Sequence, residues 1–147
     1  MDGARSLPNN LQPSYGTKVL LDTNFLLLPF QRQIDIFDEI PRLIGGHVHF
    51  VLLPQIIDEL EWLQSEGTAK EKRAAESAHQ LMEQFCQVPT DLPASIQDLD
   101  ADSALLRFAQ ETGAVVATND GALRRKLIKQ GSRAIFLRKL AVLALTG

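Results

Sequence analysis

Apolar positions along this chain follow two different spacings, and their alternation sets the expected architecture. Lys18 to Asp22 (KVLLD) is a short run of branched apolar residues and reads as a buried strand. Thr23 to Phe30 (TNFLLLPF) then turns into a short helix that Pro29 interrupts. Ile34, Ile36, Phe37, Ile40, Leu43 and Ile44 recur near helical spacing, and Gly45 and Gly46 end that helix. His47 to Leu53 (HVHFVLL) is a second strand, and Pro54 opens a helix whose apolar face is Ile56, Ile57, Leu60 and Leu63. A longer helix is expected from Thr68 to Gln87, with Ala74, Ala75, Ala78, Leu81, Met82 and Phe85 as its buried stripe. Residues 88–100 (VPTDLPASIQDLD) read as a loop with two prolines. Asp102 begins a helix with Leu105, Leu106, Phe108 and Ala109 inward, and Gly113 stops it. Ala114 to Thr118 is a third strand, Asn119 and Asp120 lead into a basic helix ending at Gly131, and Ala134 to Leu137 is a fourth strand. KLAVLAL closes the chain. Strands that alternate with helices imply an α/β fold of three layers, a central, mainly parallel, twisted sheet between helices. The 147 residues suit one domain, expected over residues 17–147. Residues 1–16, rich in Pro, Asn, Ser and Gly without a period, read as a flexible arm.

Composition narrows the class. Apolar residues make up 45% and charged residues 22%, as in ordinary globular domains. No apolar run is long enough to span a bilayer, and the N-terminus lacks the apolar middle of a secretory signal, so no membrane partner and a cytoplasmic location are expected. The single cysteine, Cys86, has no disulfide partner and reads as a buried thiol on a helical face. The net charge of −3 does not itself suggest nucleic acid. Its distribution does: Thr118 to Lys139 holds seven basic residues and one acid, leaving 17 acids against 8 bases elsewhere.

Candidate chemistry lies in four carboxylates. Asp22 ends the first strand and Asp120 follows the third. Glu59 lies about one and a half turns into the helix after the second strand. Asp102 starts the helix before the third strand. Parallel sheets build their sites beyond the carboxyl ends of the strands, so all four can reach one edge. Each has a plainer reading. Asp102 and Asp120 could be helix caps, and Glu59 belongs to an acidic helix surface. Asp22 is hardest to explain that way, because a charge at the end of an apolar strand is costly unless paired or metal-bound. Clustered carboxylates repel, and a divalent cation such as Mg²⁺ or Mn²⁺, which prefers oxygen ligands, removes the repulsion. His47 and His49 share a strand face without a third partner, and His79 stands alone, so zinc is not suggested.

VLLDTNFLL, PQIIDELEWL, DADSALLRFA and AVVATND resemble the four signature segments of PIN-domain nucleases, in the family's order. LLDTNFLLLPFQ followed by DIFDEI is similar to the branch linked to ribosomal RNA processing. The resemblance implies a PIN-like fold and a metal-dependent endoribonuclease acting on single-stranded RNA, in ribosomal RNA processing or RNA turnover. It implies that Asp22, Asp102 and Asp120 hold Mg²⁺ or Mn²⁺, with Glu59 ligating directly or through water. Asn24, Thr118 and Asn119 would orient the site. Ser103 stands where many relatives carry a second acid. Asp58 and Asp100 are neighbouring alternatives to Glu59 and Asp102. The implied chemistry is metal-assisted hydrolysis leaving 5′-phosphate and 3′-hydroxyl ends. The resemblance also suggests a homodimer, and a ribosome-assembly or antitoxin-like protein as partner.

Arg124, Arg125, Lys126 and Lys129 on the basic helix are the candidate RNA contacts, with Leu123 and Leu127 toward the core; a merely solvated face is the alternative. The principal rival function is a non-catalytic RNA-binding or assembly module of the same fold. A receiver domain is disfavoured by the missing late lysine, and a haloacid-dehalogenase-like phosphatase by Asn24, where a second aspartate would stand.

Overall fold

The computed structural model describes residues 16–139 and 141–146. The arm expected over residues 1–16 lies, apart from Gly16, outside the described residues. In chain order the elements are β1 (Thr17–Leu21), α1 (Thr23–Leu26), α2 (Leu28–Gln31), α3 (Ile36–Ile44), β2 (Val48–Val51), α4 (Pro54–Glu66) and α5 (Ala69–Phe85). Then come β3 (Cys86–Gln87), α6 (Ala94–Gln97), α7 (Ala101–Thr112), β4 (Val115–Ala117), α8 (Gly121–Lys129), β5 (Ala134–Leu137) and β6 (Leu143–Leu145).

One six-stranded sheet has the order β3-β2-β1-β4-β5-β6. The first five strands are parallel and β6 runs antiparallel to β5. The chain steps outward from β1 to β2 and β3, then returns to the other side of β1 for β4 and β5. Right-handed crossovers that reverse direction this way put helices on both faces. They also leave a switch point between β1 and β4, the place where such sheets open a crevice at their carboxyl edge. Val19 to Leu21 and Val115 to Ala117 are wholly buried there, so both central strands run apolar without alternation.

Several boundaries differ from the sequence reading, each for a local reason. The segment after Asp22 forms two short helices meeting at Leu27, and Pro29 sits in the first turn of the second, where a missing N–H costs nothing. The long helix starts at a capping box, Thr68 with Glu71, and ends at Phe85. Cys86 and Gln87 leave it to pair with Phe50 and Val51 as an edge strand. Cys86 is therefore half-buried on the sheet edge and not on a helical face. Phe85, expected inward, is 44% exposed and stacks on Phe37 at 4.8 Å. The two-proline loop contains a helical turn, α6. The tail that closed the chain supplies β6.

Candidate active site

Four chain segments meet at the switch point. Asp22 follows β1 and caps α1: its Oδ1 accepts from the Thr23 amide at 2.8 Å. Its Oδ2 accepts from the Thr118 hydroxyl at 2.7 Å and, more distantly, from the Asn24 amide at 3.4 Å. Its backbone N–H donates to the Ala117 carbonyl at 3.0 Å, tying the ends of β1 and β4 together. Asp22 is 6% exposed, so its charge is held by short polar contacts inside an apolar shell.

The Thr118-Asn119-Asp120 turn is built from the same contacts. Thr118 is fully buried, and its hydroxyl also accepts from the Asp120 amide at 3.1 Å. The Asn119 amide donates to Asn24 Oδ1 at 3.1 Å, and Asn119 Oδ1 accepts from the Leu137 amide at 3.0 Å. Asn24, Thr118 and Asn119 thus join the ends of β1, β4 and β5 beside Asp22. Asp120 caps α8, its Oδ1 accepting from the amides of Ala122 and Leu123 at 2.9 and 3.3 Å. The cap reading of Asp120 is therefore correct, and it leaves Oδ2 outside that cap.

Asp102 is not a cap. The helix begins one residue earlier, with Asp100 in the cap position, and Asp102 lies in the first turn. Glu59 is exposed on α4. The exposed indole of Trp62 lies one turn further along the same helix.

Electrostatics shows that the four carboxylates share a neighbourhood. Burial pushes Asp22 above the ordinary aspartate range, with Asp120 adding repulsion against the lowering contacts from Thr118, Thr23 and Asn24. Glu59 is raised by desolvation, then by Asp22 and Asp102. Thr23 Oγ1 offsets part of that rise, although it lies buried outside hydrogen-bonding geometry. Asp102 is raised by desolvation, then by Asp22, Asp120 and Asp100, with Lys126 pulling the other way. Glu59 is thus the α4 acid that feels the cluster, and Asp100 adds to it from behind Asp102.

Among the described residues, no three acidic, histidine or cysteine side chains are gathered tightly enough to hold a metal ion as they stand. The donor set still fits one in kind: oxygen ligands, negative charges that disfavour each other, and a buried Thr23 hydroxyl without a partner.

The basic helix divides. Leu123 and Leu127 are buried as expected. The Arg124 guanidinium lies over the Phe136 ring at 4.3 Å, and Lys126 is engaged electrostatically with Asp102. Arg125, Lys126 and Lys129 are exposed, and Arg124 is half-buried.

The model of the family described as PIN like domain matches residues 19–140, a span that includes all four carboxylates. The chain belongs to this PIN family. The chain is 33% identical over 125 residues to ribonuclease VapC4 of Methanocaldococcus jannaschii, covering 83% of this chain and 91% of that protein. It is 28% identical over 120 residues to ribonuclease VapC9 of Archaeoglobus fulgidus, covering 82% of each. The solved PIN domain endonuclease Utp24 superposes with a TM-score of 0.68 at 21% identity, covering 87% of this chain and 90% of that one, a likeness of fold. The sequence reading did not single out the buried Thr23 hydroxyl, nor the attraction of Lys126 for Asp102. Helical spacing from Asp102 says nothing about Lys126, because the two stand on different helices.

Proposed function

We propose that this PIN domain is an endoribonuclease that hydrolyses single-stranded RNA with Mg²⁺ or Mn²⁺, in RNA processing or turnover. The observation that supports this is the mutual repulsion linking Asp22, Glu59, Asp102 and Asp120, which adds to burial in raising the proton affinity of Asp22, Glu59 and Asp102. The two ribonuclease relatives support the same reading over most of the chain.

Asp22, Asp102 and Asp120 would hold the ion, with Glu59 at its side. When bound, the cation supplies charge neutralisation and activates water for attack on a phosphodiester. The chain's own residues do the rest. Thr118 and Asn24 keep the Asp22 carboxylate turned by its Oδ2, while the Thr23 amide fixes Oδ1. Asp120 accepts both cap hydrogen bonds on Oδ1, and its carboxylate would offer an oxygen to the ion from the start of α8. Exposed Arg125 and Lys129 attract the phosphate backbone.

The test is cleavage of a labelled single-stranded RNA by the purified protein. Cutting in Mn²⁺ that stops in EDTA and leaves 5′-phosphate ends is expected. Cleavage that persists in chelator, or leaves 2′,3′-cyclic phosphate, overturns the mechanism. Binding without cleavage in any divalent ion would instead support a non-catalytic RNA-binding module.

A further inference from the structure

Asp102 has a positional problem that its own helix does not solve. Of the helices of nine residues or more, α3, α5 and α8 start at side-chain caps made by Asp35, Thr68 and Asp120, while α4 starts without one but carries Pro54 in its first turn. The helix carrying Asp102 starts without one: Asp100 occupies the cap position, but its side chain makes no cap hydrogen bond. A helix start without a cap frays, and Asp102 lies in that first turn.

A side chain from another element holds the segment just before it. Gln55 Nε2 donates to the carbonyls of Ile96 at 2.8 Å, Gln97 at 3.2 Å and Leu99 at 3.1 Å. Ile96 and Gln97 end the short helix α6, where the Ile96 carbonyl also accepts from the Leu99 amide at 3.1 Å. Three acceptors converge on one NH₂ group, and a flipped amide would face them with an oxygen, so the orientation is fixed. Gln55 Oε1 is buried without a partner, so the other half of the amide goes unsatisfied in this arrangement.

Gln55 is also four residues before Glu59 on the same helix, hence on the same face. One face of α4 therefore grips the backbone that leads into α7 and, one turn further, presents the carboxylate that repels Asp102. We propose that Gln55 is a positioning residue, whose amide clamps the Ile96, Gln97 and Leu99 carbonyls and so sets Asp102 against Glu59 for metal binding. This rests on the metal-dependent reading of the acidic site. The clamp itself does not.

Two variants of the whole chain test it. Gln55→Met keeps length and apolar bulk but removes the donors. Gln55→Lys supplies N–H donors again, on a longer stem, where the two amide protons of Gln55 were shared among three carbonyls. Both are compared with the unsubstituted protein well below their melting temperatures. Hydrogen exchange is followed at the Leu99 amide, bonded to the Ile96 carbonyl, and at the Ala104 amide, bonded to the Asp100 carbonyl. Calorimetry gives Mn²⁺ affinity. In Gln55→Met, exchange at both amides should be at least about tenfold faster, and Mn²⁺ affinity should fall by about tenfold, as for other supports of ligand residues. Gln55→Lys should recover most of the protection at both amides, whereas its ammonium, four residues before Glu59, does not restore Mn²⁺ affinity to the same extent.

Unchanged exchange in Gln55→Met overturns the clamp. Faster exchange with unchanged Mn²⁺ affinity leaves Gln55 a structural residue only and overturns the positioning role. If the unsubstituted protein binds no Mn²⁺, the positioning role falls together with the metal reading, while exchange still decides the clamp.

Discussion

Asp22 and Asp102 hold their charge in opposite ways, which makes their amide variants informative as a pair. Asp22 is buried and fully engaged by hydrogen bonds, whereas Asp102 is partly exposed and lies among other acids. Asp22→Asn and Asp102→Asn should each lower RNA cleavage by at least about a thousandfold, since each removes a metal ligand in the proposed site. Asp102→Asn should also raise the metal-free melting temperature slightly, by about 1–2 °C after solvent screening, because a repelling charge is gone. A scanning melt without metal checks this, and a clear fall would make Asp102 structural. Cys86 gives a second residue-level test. Burial pushes its thiol up to about 12, so labelling by a thiol reagent at pH 8 should be far slower in the folded protein than in denaturant. The acids at strand ends were legible in the sequence because a charge after an apolar run needs a reason. The roles of individual oxygens were not, since pairing Thr118 with Asp22 joins residues 96 positions apart.

Among the elements, α8 is where sequence and structure diverge most usefully. Arg124, Arg125, Lys126 and Lys129 read as candidate RNA contacts, and Arg124 among them also lies over the Phe136 ring. Arg124→Gln should therefore cost about 0.5–1 kcal/mol of stability, the scale of an exposed cation–π contact. Arg125→Gln with Lys129→Gln is the cleaner pair for binding. It should lower the slope of log affinity against log salt by roughly 0.7 per lost phosphate contact, read by anisotropy in Ca²⁺. An unchanged slope would mean that this face is only solvated. The longer helices were readable from apolar spacing, as Leu123 and Leu127 show for α8, whereas the single turn α6 was not. Edge pairing was not: β3 has two residues and β6 three, too few for a period, and both form because a neighbouring strand offers them backbone partners.

At the scale of the whole molecule, the raised carboxylates link stability to pH. The folded state binds protons at Asp22, Glu59 and Asp102 more tightly than the unfolded chain does. Their contribution is therefore fully present below the ordinary carboxylate range and is lost as pH rises through the folded-state values. Metal-free protein should gain from these groups as pH falls from neutral toward about 5. The difference in melting temperature between the two pH values should be smaller in Asp102→Asn than in the unsubstituted chain. Mn²⁺ at about a hundred times its dissociation constant should add about 2.7 kcal/mol at neutral pH. No thermal shift with Mn²⁺ would count against a resident cation. The mainly parallel sheet followed from alternating strands and helices, whereas the switch point, made by the return of the chain across β1 to β4, depends on which apolar faces pack.

Trp62 turns the geometry of α4 into an optical property. It is the chain's single tryptophan, 59% exposed and three residues beyond Glu59. Emission from this protein therefore reports one place, beside the acids, with no second indole to dilute it. A strand of RNA crossing that helix would exclude water from the ring or stack a base upon it. Unlabelled oligonucleotide should then quench or blue-shift the native fluorescence, giving binding curves without a dye and without catalysis.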